Sequence, residues 1–428
     1  MDEAIRRIEA VWRIESPKLI GALARLVRDV GLAEELAQEA LVTALEKWPE
    51  TGVPDNPGAW LMTTAKNRAL DDLRRNQMLR GKHKQLGREL EEEQEASGAA
   101  LAARLERELD DDVGDDVLRL IFTACHPVLA RDARVALTLR LLGGLTTAEI
   151  ARAFLTPEPT IAQRIVRAKK TLAEAKVPFE VPRGAERAER LASVLEVIYL
   201  VFNEGYAATA GDDWMRPELV EDALRLGRVL AGLAAEEPEA HGLVALMEIQ
   251  ASRLHARTSP SGEPILLLDQ DRSRWDQLLI RRGLAALEKA EALGGARGPY
   301  ALQAALAACH ARARAAGETD WARIVGLYGA LNEVTPSPIV ELNRAVALSM
   351  LFGPEAGLKI VDALAGEAAL ASYHLLPSIR GDFLFKLGRL EAARAEFERA
   401  AAMAGNARER ALLEKRAGEC LRGGSPGT

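Results

Sequence analysis

Between residues 33 and 48 the chain reads AEELAQEALVTALEKW, where Leu36, Ala40, Ala44 and Trp48 recur every four residues and predict one apolar stripe on a helix. The positions between them are polar, and Glu34, Glu35, Gln38 and Glu39 are expected to form an exposed acidic patch on that helix. The stretch NPGAWLMTTAKNRALDDLRRNQ, 56–77, predicts a second helix with Lys66, Arg68, Arg74 and Arg75 on its polar side and Asn67 and Asp71 between them. Trp60 is read there as core rather than as a base-stacking ring. Further on, LTTAEIARAFLTPEPTIAQRIVRAKKTL, 145–172, predicts two short helices about a tight turn. Ala148, Ile150, Ala151 and Phe154 give the first an inward face, and LTPEP supplies the break. Thr160 is placed as cap of the second helix, with Ile161, Ile165 and Ala168 as its buried stripe. Gln163, Arg164, Arg167 and Lys170 are left on or near the outward side, and Lys169 and Lys170 suit phosphates. A helix of this size fits the major groove, where Arg takes guanine, Gln takes adenine and Lys meets phosphates.

The C-terminal half shows a fainter pattern. In IRGDFLFKLGRLEAARAEFERAAAMAG the small residues Gly381, Gly388, Ala393 and Ala400, with Phe397, fall where a tetratricopeptide repeat places small contact residues and an aromatic plug. An earlier copy puts Ala345 thirty-six residues before Gly381. An irregular helical bundle is the alternative. Three interruptions divide the chain: an acidic stretch at 81–116, KVPFEVPRG at 176–184, and ALGGARGPY at 292–300. They predict a helical block at 1–80, an acidic linker at 81–116, a small basic block at 117–176, a helical domain at 185–291 and repeat-like helices at 292–423.

Composition sharpens this picture. The 428 residues are 48% hydrophobic but only 4% aromatic, and rich in the strong helix formers Ala, Leu, Arg and Glu, so an all-α protein is expected. Net charge is -7, so contact with nucleic acid has to come from local patches. From 117 to 176 there are ten Lys or Arg against four acids, whereas 81–116 holds five against twelve. The basic block is a footprint for phosphate, and the acidic one reads as a tether. Cys125, Cys309 and Cys420 lack the spacing of a zinc site or disulfide framework, which suggests a reducing cytoplasm. No run approaches the length of a membrane span.

The motifs AEELAQEALVTALEKW, NPGAWLMTTAKNRALDDLRR and LTTAEIARAFLTPEPTIAQRIVRAKKTL, in this order, resemble the extracytoplasmic-function (ECF) sigma factors of bacterial RNA polymerase over residues 1–176. The resemblance implies a sigma region 2 domain, a helix-turn-helix sigma region 4 domain, and two partners, core RNA polymerase and promoter DNA. Glu34, Glu35, Leu36, Gln38 and Glu39 then correspond to the helix that binds the clamp of the largest subunit, the polymerase flap being the second contact. Asn56, Trp60, Lys66, Asn67, Arg68, Asp71, Arg74 and Arg75 correspond to the segment that melts and reads the -10 element. Thr160, Gln163, Arg164, Arg167, Lys169 and Lys170 correspond to the helix that reads the -35 element. The sequence departs from the family in three places: Leu155 stands where glycine is usual, Pro159 where a small residue is common, and Ala162 where lysine is frequent.

NEGY at 203–206, LLDQDRSRWD at 267–276 and ELNRAVA at 341–347 resemble the C-terminal extension of one ECF group, a helical domain followed by tetratricopeptide-like repeats that regulates activity. The same resemblance offers a small YCII-related protein as a further partner. No cofactor, metal or catalytic residue is expected. The carboxylates Glu34, Glu35, Glu39, Asp71 and Asp72, or Asp269, Asp271 and Asp276, have no accompanying histidine spacing, and no phosphate-cradling glycine loop is present. The remaining rival is a polymerase-independent helix-turn-helix regulator with a sensory helical domain, which would have no use for the acidic patch.

Overall fold

The computed structural model describes residues 2–82, 113–208, 214–260 and 262–422, with side chains described outside 2–6, 70–82 and 113–115. Among these residues the regular structure is eighteen α-helices and four 3-10 turns, and the one β contact is an isolated bridge between Thr258 and Pro264. The chain is therefore all-α, as its helix-forming composition predicts. It divides into two units, Met1–Ile198 and Tyr199–Thr428.

In the first unit α1 (Asp2–Val27), α2 (Val30–Thr51) and α3 (Pro57–Lys82) pack on one another. Local chemistry sets their ends. Asp29 caps α2 by accepting from the Leu32 N–H at 3.0 Å. Asn56 accepts from the Ala59 N–H at 3.1 Å and so caps α3, whose first residue is Pro57. Leu19, Ile20, Leu23, Leu36, Trp48 and Leu61 form the core between them, each no more than 2% exposed.

Four helices follow: α4 (Val113–Ala124), α5 (Arg131–Leu141), α6 (Thr147–Ala153) and α7 (Glu158–Glu174). The first part of α8 (Gly184–Tyr206) binds back to them, Arg190 donating to the Phe122 carbonyl at 2.8 Å and Ser193 to the Cys125 carbonyl at 2.6 Å. α4 also lies along α1, and Gly21 permits the approach, since a Cβ there would stand 2.9 Å from the Asp116 carbonyl oxygen. Asp116, expected at the end of an acidic tether, is instead 1% exposed and holds Arg25 at 3.1 Å and Arg119 at 2.7 Å. Residues 83–112 of that tether lie outside the described residues.

The second unit continues as α9 (Pro217–Leu233), α10 (Pro238–Ala251), α11 (Gln277–Ala292), α12 (Pro299–Arg312), α13 (Trp321–Val334), α14 (Pro338–Phe352), α15 (Pro354–Leu364), α16 (Leu375–Lys386), α17 (Leu390–Met403) and α18 (Ala407–Leu421). From α12 onward each helix packs on its successor. Their core joins the fully buried Ala345, Ala393 and Ala400 to Phe383 and Phe397. At Gly381 a Cβ would meet the Phe397 ring at 3.0 Å, so the small residue is what lets α16 and α17 close on that ring.

Candidate polymerase and promoter interfaces

The pair of helices expected to read DNA is α6 and α7. Thr146 caps α6 reciprocally: its hydroxyl accepts from the Glu149 N–H at 3.1 Å, and its own N–H donates to Glu149 Oε2 at 2.7 Å. Arg13 of α1 also donates to Glu149, at 2.9 Å. Burial works to raise the Glu149 carboxyl, but the Thr146 hydrogen bonds and the Arg13 charge outweigh it and hold it below its ordinary 4.5. The T-x-x-E pattern in LTTAE is the sequence signal for this cap, one that helical periodicity does not pick up.

Between the helices the chain turns at Leu155, at φ 46°. Its N–H donates to the Arg152 carbonyl at 3.3 Å and the Thr156 N–H to the Ala151 carbonyl at 3.0 Å, the pair of bonds with which helices end on glycine. The departure from glycine therefore leaves a leucine in left-handed backbone. Thr160 does not cap α7, contrary to expectation. Pro157 holds the cap position without a side-chain bond, and Thr160 lies in the first turn, donating its N–H to the Pro157 carbonyl at 2.9 Å. Pro159 has no N–H to satisfy, so this helix start has less need of a side-chain acceptor.

Ile161, Ile165, Ala168 and Leu172 are buried along α7. Thr160, Gln163, Arg167 and Lys170 are exposed, Lys170 lying 3.6 Å from Glu174. Arg164 is half-buried and stands 3.4 Å from Asp132. Lys169, also half-buried, is ion-paired with Glu34 of α2.

Glu34 is the principal correction to the acidic patch. It is 3% exposed, holds Arg140 Nε of α5 at 2.6 Å as well as Lys169, and accepts from Gln38 beside it. Glu35 and Glu39 are exposed as expected, Gln38 is half-buried, and Leu36 is core at 1%. Sequence reasoning missed Arg140, whose only signal was its membership of the basic block. It donates to the Leu145 carbonyl at 3.1 Å as well, which ties the loop before α6 to the same point.

On α3, Asn56 is engaged as the helix cap. Trp60 is half-buried with its ring edge-on to Trp48, centroids 5.2 Å apart, in keeping with the core reading. Lys66 is half-buried and Asn67 exposed. Arg68 ion-pairs with Glu39 and donates to the Thr43 hydroxyl at 2.9 Å, so residues expected in two different interfaces bond to each other. Asp71, Arg74 and Arg75 continue α3, but their side chains lie outside the described residues.

Among the described residues no group of three His, Cys, Asp or Glu side chains could hold a metal ion, and no helix is long and apolar enough to cross a membrane. The three cysteines are free and buried.

In the first unit a three-helix bundle is followed by a helix-turn-helix whose second helix exposes Arg167 and Lys170, a form in which DNA-binding proteins read the major groove. Residues 12–78 match the family model of sigma-70 region 2 and residues 119–172 that of sigma-70, region 4. Residues 190–291 match a family of unknown function, DUF6596. An uncharacterized protein of Rhizobium meliloti is 44% identical over 398 residues, 93% of this chain and 92% of that protein. The ECF RNA polymerase sigma factor SigK of Mycobacterium ulcerans is 31% identical over 152 residues, 35% of this chain and 74% of SigK. A probable ECF RNA polymerase sigma factor, SigI of Mycobacterium tuberculosis, is 26% identical over 42% of this chain and 59% of its own length. The chain belongs to the ECF RNA polymerase sigma factors, a non-enzymatic family of transcription factors. No solved structure matches it.

Proposed function

We propose that this chain brings core RNA polymerase to specific promoters, reading a -35 element with α7 and melting a -10 element with α3 while the exposed acids of α2 dock on the clamp. The blocks 1–80 and 117–176 do this work, joined by an acidic linker at 81–116. The helical domain at 185–291 and the tetratricopeptide-like stack at 292–423 regulate it, with a small YCII-related protein as a candidate partner. The observation that carries the reading is the exposed face of α7, where Thr160, Gln163, Arg167 and Lys170 stand opposite a buried stripe in the segment that matches sigma-70 region 4. In this reading Thr160 and Gln163 meet base edges, Arg164 and Arg167 take guanine, and Lys170, with Lys169 once it leaves Glu34, meets phosphate.

The described arrangement supports one further step. With Glu34 bound to Arg140 and Lys169, an acid of the polymerase-binding helix and a cation of the DNA-reading helix neutralise each other. Docking on polymerase has to separate them, which frees Lys169 for the promoter backbone.

The test is transcription with purified core polymerase. The wild-type chain is expected to direct initiation from a specific promoter, with protection at both elements. Arg167→Ala should weaken protection at the -35 element by about 1–3 kcal/mol. A chain that binds duplex DNA alone yet never associates with core polymerase would favour the rival regulator and overturn the reading.

A further inference from the structure

Two motifs of the extension, NEGY and LLDQDRSRWD, find no use in promoter recognition, and both lead to one place in the second unit. Tyr206 from the first and Trp275 from the second lie on a cluster of three arginines. The Arg257 guanidinium stacks 3.7 Å from the Tyr206 ring centroid and 5.3 Å from that of Trp214. Arg253 lies 5.8 Å from both the Tyr206 and the Trp275 centroids, and Arg272 lies 4.9 Å from Trp275.

Two of these cations are tied down. Arg257 donates to the Tyr206 carbonyl, and Arg272 donates to the carbonyls of His310 and Ala313 at 2.6 and 2.8 Å and to the Thr319 hydroxyl at 3.2 Å. Arg253 is different. It is 8% exposed, and among the described residues it has no acceptor and no ion pair, only the two rings. Among the described residues its buried Nε meets no acceptor, and neither do Arg272 Nε or the indole N–H groups of Trp214 and Trp275. Glu318 and Glu409 act on the cluster only at longer range.

Buried charges are ordinarily paired, and an aromatic face attracts a guanidinium without accepting its in-plane N–H bonds. Three cations with surplus donors, and no carboxylate in contact among the described residues, make a positively charged site suited to an anion. His310 registers the same field: burial, then Arg253 and Arg272, push it down to about 4.

We propose that Arg253, with Arg257 and Arg272 beside it, forms a binding site for a small-molecule oxyanion, a phosphate or carboxylate group received at the Arg253 guanidinium against the Tyr206 and Trp275 rings. A planar fork of donors suits such a group bidentately. The ligand would stabilise the extension by relieving repulsion among the three cations, and so make the regulatory half responsive to a metabolite. This goes beyond promoter recognition, and its test involves neither polymerase nor DNA.

Thermal unfolding of the full chain is followed while sodium phosphate or sodium acetate replaces chloride at constant ionic strength. To silence phosphate binding by the DNA-reading helix, the parent chain and every variant made from it carry Arg167→Gln and Lys170→Gln. The melting temperature of the second unit is expected to rise with the logarithm of concentration for one of the two anions, which identifies the group bound. Arg253→Met should abolish that rise and, having lost an unpaired buried cation, melt no lower than its parent in chloride. Arg253→Lys should keep a weaker rise. The proposal is overturned if neither anion shifts the parent, if Arg253→Met keeps the full shift, or if Arg253→Met melts markedly lower in chloride, which would make Arg253 a structural brace.

Discussion

At Leu155 a leucine sits in left-handed backbone with 56% of its surface in water, so it bears the steric cost of that conformation with little packing in return. Leu155→Asn is expected to stabilise the first unit by about 0.5–1 kcal/mol, because asparagine adopts the conformation more readily and lacks the entropy penalty of glycine. Urea unfolding followed by a probe in the first unit checks this, and an unchanged or lower midpoint contradicts it. Cys125 is the opposite case. Burial drives its thiol up to about 11, against the smaller downward pull of its contact with the Thr138 hydroxyl at 3.3 Å. Iodoacetamide at about pH 8 should leave Cys125 unmodified in the folded chain and alkylate it in urea, because the thiolate is the reactive form.

At the scale of elements, the contact between α2 and the DNA-reading half rests on charge. Glu34→Gln removes the carboxylate from Arg140 and Lys169, and both cations, each with 21% of its side chain exposed, can turn toward water. Paired fluorophores on α2 and α7 should then report a larger separation in the free chain, and its affinity for a -35 duplex should rise several-fold; the same separation and affinity as wild type would show that the pair holds nothing together. The cap of α6 gives a dependence on pH. Because the folded Glu149 carboxyl is held below 4.5, its contribution is complete above that value and is lost as pH falls through the lower, folded value. Helix content and protection of the α6 amides should therefore hold down to about pH 4.5 and decline below it. Glu149→Gln should flatten that acid limb.

For the molecule as a whole, the boundary at KVPFEVPRG is less clean than its prolines suggest. α8 begins at Gly184 and its first turns supply Arg190 to the Phe122 carbonyl and Ser193 to the Cys125 carbonyl. Arg134 joins them through an ion pair with Glu196 at 3.2 Å. Truncation after residue 183 is therefore expected to destabilise the helix-turn-helix block, whereas truncation after 208 keeps these bonds. Melting temperatures of the two shortened chains decide this, and equal stability would refute it.

What the sequence determined by itself is what depends on a residue and its near neighbours. Leu36, Ala40, Ala44 and Trp48 are buried on α2, and Ile161, Ile165 and Ala168 on α7, because helical periodicity alone places them on one side. The basic block, the turn before α7 and the family itself were legible for the same reason. The caps divide differently: Asn56 and Thr146 take that role through bonds three residues long although helical periodicity pointed to neither, while Thr160, expected to cap, yields to a proline start. Tertiary structure alone decided the fate of Glu34, whose partner Arg140 is 106 residues away, and the meeting of Tyr206, Arg253 and Trp275 from three separate segments. Periodicity specifies which side of a helix is polar. Whether that side meets water, an opposite charge or an unpaired like charge depends on which distant helix the fold sets against it, and no spacing along the chain encodes that choice.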